Sequence, residues 1–270
     1  MSFVPILRTK GFFKLHEPYQ SRHAIVFLTV NPDPRLFTFA DKIASDMYHV
    51  YFSIDSDTYV PPSISNPFIT VLNISRAESE KKGYRNSVLW VDGASSRCKA
   101  LYYFCEKNTI AYDAIWFTED DVFIPSVNTL KHLDLLYSSS ETDLLSTVYH
   151  TAHTDNNEWQ FPRNRGRIDL PWAGGAIMAI RVSPRMIDAI RSFMAKNTTL
   201  LMDELLFHTL AMHAKLTITV APELKALVVF RHSWAEDDII QENRLFHPMK
   251  SYQEHLDTAS KHGFEHYTNI

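Results

Sequence analysis

The sequence is poor in cysteine, with two in 270 residues, and poor in glycine, with seven. Cys98 and Cys105 read as residues of one helix, two turns apart, where a disulfide cannot close; both are expected to be small buried thiols. No Cys/His spacing of a zinc site occurs. Long apolar runs are also missing, since no stretch reaches about 18 uncharged apolar residues. The opening MSFVPILRTKGFFKLHEPY is broken by Arg8, Lys10 and Lys14, and lacks the form of a signal peptide or a membrane span. The expectation is a cytoplasmic protein with no membrane span in this chain. An excess of positive charge is absent too: 27 Lys and Arg stand against 31 Asp and Glu. A net charge of -4 argues against a nucleic-acid partner, which needs a basic surface. Asn73-Ile-Ser75 and Asn197-Thr-Thr199 are formal glycosylation sequons of a kind that arises often by chance.

What is present is an ordinary globular composition, 45% hydrophobic and 21% charged, long enough to bury a sizeable core without disulfides. Apolar runs alternate with amphipathic segments and no repeat or long linker interrupts them, which favours an α/β architecture. Strands are expected at His23–Val30, His49–Ile54, Phe68–Ile74, Ala114–Thr118, Asp143–Tyr149, Ala176–Ile180, Leu216–Val220 and Ala226–Phe230, with a further one starting at Val122-Phe-Ile124. Helices are expected near Arg35–Ser45, Ser96–Lys107, Val127–Tyr137, Pro184–Lys196 and Leu200–Ala214. Residues 76–95 give no clear pattern. Residues 150–170, with Arg163, Arg165 and Arg167, are polar and long for a loop, as lids and acceptor contacts often are. The tail from Arg231 carries five of the thirteen histidines and reads as an arm over the domain.

The strongest chemical signal is Glu119-Asp120-Asp121, three carboxylates at the end of an apolar strand. Adjacent carboxylates repel, a cost that a bound dication offsets. Alternation along an extended segment lets Glu119 and Asp121 share a face. Oxygen ligands suit Mn²⁺ or Mg²⁺ rather than zinc. On the residues alone, a solvated acidic turn is an equal reading.

Trp116-Phe-Thr-Glu-Asp-Asp-Val-Phe-Ile124 resembles the strand and DxD-type motif of GT-A-fold glycosyltransferases, here as Glu-Asp-Asp with the first aspartate replaced. The resemblance implies a GT-A-like, Rossmann-related, mostly parallel central sheet flanked by helices, with a C-terminal arm. It divides a single domain into a nucleotide-sugar half at about 20–121, an acceptor half at about 122–232 and the arm at 233–270. It further implies a nucleoside-diphosphate sugar donor (UDP- or GDP-linked), a glycan or other hydroxyl acceptor, and Mn²⁺ or Mg²⁺ as cofactor. Asp121 matches the residue that touches the metal, with Glu119 beside it, and Glu119 or Asp120 would meet ribose or a metal-bound water. His232 matches the late histidine that completes such a site, with His247 as its rival. Asp203, or Glu204 next to it, matches the base at a helix start, where the helix dipole keeps a carboxylate ionised. Trp172-Ala-Gly-Gly175 resembles the loop where Gly174 and Gly175 let backbone approach the sugars. Asp55, Asp57, Thr29 and Arg97 fall on the donor side, and Lys99 adds positive charge there. The chemistry expected is transfer with inversion, in the Golgi lumen if a membrane anchor precedes the chain. A catalytically inactive binding protein on the same fold is one alternative. A nucleotidyltransferase is another, weakened because Asn31-Pro-Asp-Pro34 has neither glycine nor positive charge.

Overall fold

A computed structural model describes residues 21–88, 91–138, 141–158, 160–231, 233–237 and 240–264. In chain order the strands and helices are β1 (His23–Thr29), α1 (Pro34–Ile43), β2 (Tyr48–Ile54), β3 (Ile69–Val71), α2 (Arg76–Lys81), β4 (Asn86–Val88), β5 (Val91–Gly93), α3 (Ser96–Tyr102) and β6 (Ala114–Glu119). They continue with α4 (Thr129–Leu136), β7 (Leu144–Ser146), β8 (Tyr149–Ala152), β9 (Trp172–Gly175), β10 (Ala179–Val182), α5 (Pro184–Met194), α6 (Asp203–His213), β11 (Ile218–Val220) and α7 (Tyr252–His262).

β1 is buried along its whole length, as its unbroken apolar run requires of a strand covered on both faces. It pairs in parallel with β2 on one side and β6 on the other. The sheet runs β3-β2-β1-β6-β10-β7-β11, parallel throughout except for β10. This is the mostly parallel α/β sheet flanked by helices that the sequence led us to expect. Alternate residues of β1 feed opposite faces. Ile25 and Phe27 join a core with α1, α4, α7 and the tail, while Ala24, Val26 and Leu28 join one with α3, α5 and α6.

The helices start where short polar residues can accept their free N–H groups. Asp33 caps α1 with Pro34 behind it, Ser95 caps α3, and Ser183 caps α5. Ser251 accepts from the Glu254 N–H at the start of α7, and Gly263, at φ 69°, ends it. α6 has no side-chain cap, because Met202 offers no acceptor.

Several local expectations are corrected. Val122–Ile124 forms no strand; Phe123 makes a single antiparallel bridge to Phe246. Ala226–Phe230 is not a strand either, since Pro222–Val228 winds as a 3₁₀ helix that buries Leu224 and Leu227. Asp143–Tyr149 divides between β7 in the main sheet and the start of β8, which pairs only with β9. β3 covers only the middle of Phe68–Ile74. Residues 76–95 contain α2 and the β4–β5 pair. α3 continues as a π-helical turn over Tyr103–Lys107, so the segment of both cysteines is one helical run, and both thiols are buried and free. No helix among the described residues is long and apolar enough to cross a membrane.

Candidate metal and donor site

The parallel strands end together: Thr29 of β1 lies opposite Ile54 of β2, and Leu28 opposite Glu119 of β6. This carboxyl edge is where open α/β sheets present ligand-binding groups. Past Glu119 the chain leaves the strand in a turn, closed by the Val122 N–H on the Glu119 carbonyl at 3.2 Å, and the side chains diverge. Asp120 turns toward β1, where it accepts the Thr29 hydroxyl. Burial, then the neighbouring Asp121 and Glu119 charges, raise its carboxyl above the usual range, against the Thr29 hydrogen bond.

Glu119 and Asp121 face the other way and meet His247 from the tail. One ligand atom from each of the three lies within 4.8 Å of the others. Backbone bonds bring the tail there: Phe123 N donates to Phe246 O at 2.8 Å, and Met249 N to Asp121 O at 2.8 Å. His247 is buried, with Nδ1 held 3.1 Å from the Leu227 carbonyl and Nε2 3.4 Å from Asp121 Oδ1. A ring that donates from Nδ1 keeps its Nε2 lone pair for a metal, the usual arrangement of a ligating histidine. Asp121 Oδ1 is itself buried without a hydrogen-bond partner. Nε2 of His247 and Asp121 Oδ1, with Glu119 beside them, are placed to act as ligands of one cation. The residues therefore fit a divalent ion, and the imidazole favours Mn²⁺ over the more strictly oxygen-seeking Mg²⁺. Burial pushes the Asp121 carboxyl up, but His247 and Lys250 outweigh it and hold it below the usual range. Lys250 pairs with Asp121 Oδ2 from a largely exposed position.

Arg97 of α3 is 3% exposed and spans the site. It donates to Glu119 Oε1 at 2.7 Å and to the Ile177 carbonyl at 3.1 Å, and its Nε lies 3.5 Å from Asp203 Oδ2. Asp203 is the first residue of uncapped α6, and its Oδ1 is buried without a hydrogen bond. Burial raises the Asp203 carboxyl, the Arg97 charge opposes the rise, and Glu204 and Glu119 add to it. Of the two acidic residues at this helix start, Asp203 is the one that reaches Arg97.

The other expected residues are placed as follows. Lys99 is buried and delivers its ammonium to the carbonyls of Ile54 and Asp55 and to Asp57 Oδ1, at 3.1, 2.7 and 2.5 Å. Asp57 also accepts the Arg76 N–H, so its carboxylate is committed to holding the loop after β2. Asp55 follows directly on that strand, its N–H donating to the Thr29 carbonyl at 2.9 Å, and its carboxylate has no side-chain partner among the described residues. Trp172, Gly174 and Gly175 lie in β9 rather than in a loop, all buried. A Cβ at 175 would come 2.1 Å from the Val148 carbonyl and 2.8 Å from the His208 ring, so this glycine serves internal packing. Arg167 is tied to Thr199 and Leu200, and Arg165 to Asp155. His232 lies outside the described residues. Lys250 escaped the sequence reading; its only signal was its place three residues after His247.

A cavity of about 910 Å³ lies at the opposite edge of the sheet, around Asp134 and Arg181. There Asp134 accepts from Tyr48, Trp116 and Arg181, with His23 at 3.2 Å, so its buried charges answer one another. A smaller cavity of about 290 Å³ opens beside the carboxyl ends of β2 and β3, lined by Asp57, Tyr59, Asn73 and Ser75.

No protein-family model matches the chain, and no curated protein sequence does. Among solved structures, the chain is similar to apo mouse xyloside xylosyltransferase 1, at 11% identity and a TM-score of 0.36, over 74% of this chain and 85% of that one. It is also similar to 4-diphosphocytidyl-2C-methyl-D-erythritol synthase from Anaerococcus prevotii, at 7% identity and a TM-score of 0.41, over 90% and 99% of the two chains. Both likenesses are remote, and the reading below rests on the residues of the site.

Proposed function

We propose that the chain is a divalent-cation-dependent glycosyltransferase that moves a sugar from a nucleoside diphosphate to an acceptor hydroxyl. The observation that carries this reading is the meeting of Glu119, Asp121 and His247 at the carboxyl edge of the sheet. A bound Mn²⁺ would supply Lewis-acid stabilisation of the departing diphosphate. The chain's own residues account for the rest. Glu119, Asp121 and His247 would hold the ion, and Lys250, already beside Asp121, would place positive charge where the diphosphate charge develops. The cavity beside β2 and β3, lined by Asp57, Tyr59 and Asn73, would take the nucleoside. Asp203 would accept the proton of the attacking hydroxyl, and a carboxyl raised by burial is a stronger base once ionised than an exposed one. Attack on the face opposite the leaving group gives inversion.

The test is a panel of UDP- and GDP-sugars with Mn²⁺, following release of the nucleoside diphosphate with and without simple hydroxyl acceptors. Metal-dependent release that disappears in Asp121→Ala, with the circular dichroism spectrum unchanged, supports the proposal. Unchanged release in that variant refutes the metal role. Binding of nucleotide without turnover across the panel points instead to an inactive binding protein.

A further inference from the structure

β10 is buried along its whole length and yet carries an arginine, Arg181, which is 7% exposed. Burying an ion pair costs much of what the pair returns, and apolar residues of similar volume often serve a core as well. For the fold alone, Arg181 makes poor use of its place. Of its N–H donors only Nε is engaged, at 2.7 Å from Asp134 Oδ1. Nη1 and Nη2 have no hydrogen-bond partner among the described residues. The side chain lines the cavity of about 910 Å³ at the amino ends of β1 and β2. We propose that this cavity binds a small organic acid, with its carboxylate on the free fork of Arg181 and its apolar body against Met47 and Leu135.

The hydrogen bonds of the wall favour an anion over a cation. Asp134 accepts from Trp116 and Arg181 on Oδ1 and from Tyr48 on Oδ2. Asp143, the other buried carboxylate of the lining, accepts from Ser183 on Oδ1 and from the Thr217 N–H on Oδ2. A cationic ligand would compete with these bonds, whereas an oxyanion meets donors that have none. The two N–H groups at the end of a guanidinium match the two oxygens of a carboxylate. A single negative charge suits the site better than two. Lys131, Arg181 and Arg185 line the cavity together with Asp113, Asp134, Glu141 and Asp143, so no positive field gathers a dianion such as phosphate. Selection falls to the one buried fork. The rest of the ligand would be apolar, because Leu135 is 74% exposed and Met47 41% exposed, and both line this cavity. Its volume lies in the range that takes small organic ligands, about 300–1,000 Å³.

The test is isothermal titration calorimetry on the whole chain with octanoate, octan-1-ol, acetate and inorganic phosphate as probes. EDTA is present throughout, so that no bound metal attracts the carboxylates. Octanoate should bind at least about tenfold more tightly than octan-1-ol, the difference expected of hydrogen bonds to a charged group. It should also bind more tightly than acetate, which lacks the apolar body, and than phosphate. R181K keeps a positive charge beside Asp134 but loses the fork, and should weaken octanoate by about tenfold or more. L135E leaves the buried pair untouched and sets a negative charge beside the apolar body, so it should weaken octanoate several-fold. Circular dichroism checks the fold of both variants, and L135E decides alone if R181K does not fold. Absence of saturable octanoate binding at millimolar concentration overturns the site. So do equal affinities for octanoate and octan-1-ol, or an octanoate affinity that either folded variant leaves unchanged. Phosphate binding as tightly as octanoate overturns the choice of a monoanion with an apolar body.

Discussion

Gly175 offers the sharpest separation between a packing role and a ligand role. The sequence suggested that glycine here clears space for a sugar, whereas the structure fills that space with protein. A methyl group at 175 would sit 2.1 Å from the Val148 carbonyl oxygen and 2.8 Å from Cε1 and Nε2 of His208, against an ordinary contact distance of 3.4 Å or more. The Val148 carbonyl would have to retreat by more than an ångström and the His208 ring by more than half of one. Neither is free to do so. The β8–β9 pairing fixes Tyr149 opposite Gly175, and Thr209 Oγ1 pins Ala173 to α6 through its N–H and its carbonyl. His208 is wholly buried, with Nε2 2.9 Å from Ser146 Oγ. Overpacking of this sort costs about 1–3 kcal/mol, and losing the His208–Ser146 bond adds about 1 kcal/mol. We expect Gly175→Ala to destabilise the fold by about 3 kcal/mol. For a chain of this length that lowers Tm by roughly 6–12 °C, measurable by calorimetry or by circular dichroism in a urea series. A variant that melts within a degree or two of the parent while losing sugar transfer would refute the packing account and restore the ligand role.

Other perturbations follow from the same contacts. His247→Ala should weaken Mn²⁺ binding by at least about tenfold, read from the electron paramagnetic resonance of free Mn²⁺, because it removes one of the three proposed ligands. Asp134→Leu leaves Arg181 buried without its carboxylate and should cost about 3–5 kcal/mol in urea unfolding. His208 and His255 are lowered by burial to about 4, well under the ordinary 6.5. The unfolded chain therefore binds protons that the folded chain refuses, and stability should be full above pH 6.5 and fall steadily toward pH 4. His208→Gln should flatten that slope; an unchanged slope would show that His208 is not a source of it.

The fold was legible where the sequence carries long, one-sided patterns. β1 reads directly from HAIVFLT because its five consecutive apolar residues, Ala24 to Leu28, suit a strand buried on both faces. α5 reads from Ser183-Pro184 because a cap followed by proline has few other uses. The failures fall on short apolar runs. Ala226–Phe230 has the composition of a strand, but Pro222 starts a 3₁₀ turn there and Leu224 and Leu227 are satisfied on one side of it. Val122–Ile124 is apolar because it lies in the core under the tail, not because it pairs in a sheet. At the site, local spacing placed Glu119, Asp120 and Asp121 at a strand end, and the turn that follows sends Asp120 toward β1 while Glu119 and Asp121 meet His247. The parts supplied from a distance were harder to read. Only the backbone bonds between 121–123 and 246–249 decide that His247 and Lys250 arrive beside Asp121. Likewise, nothing in the sequence marks Asp57 as the partner of a buried lysine and Asp55 as the free carboxylate.

Those same backbone bonds set an order of events during synthesis. The strands β1 to β10, Arg97, the acidic cluster and Asp203 all precede the end of α6, yet His247, the third proposed ligand, lies some thirty residues behind it in the chain. Until Phe246–Lys250 emerges and zips onto 121–123, Phe123 and Trp234 lack the tail that covers them, and Asp121 lacks both of its basic neighbours. The proposed site is thus completed only after every strand of the sheet has been made. A chain cut short before residue 246 would carry those strands and lack the His247 of the proposed metal site.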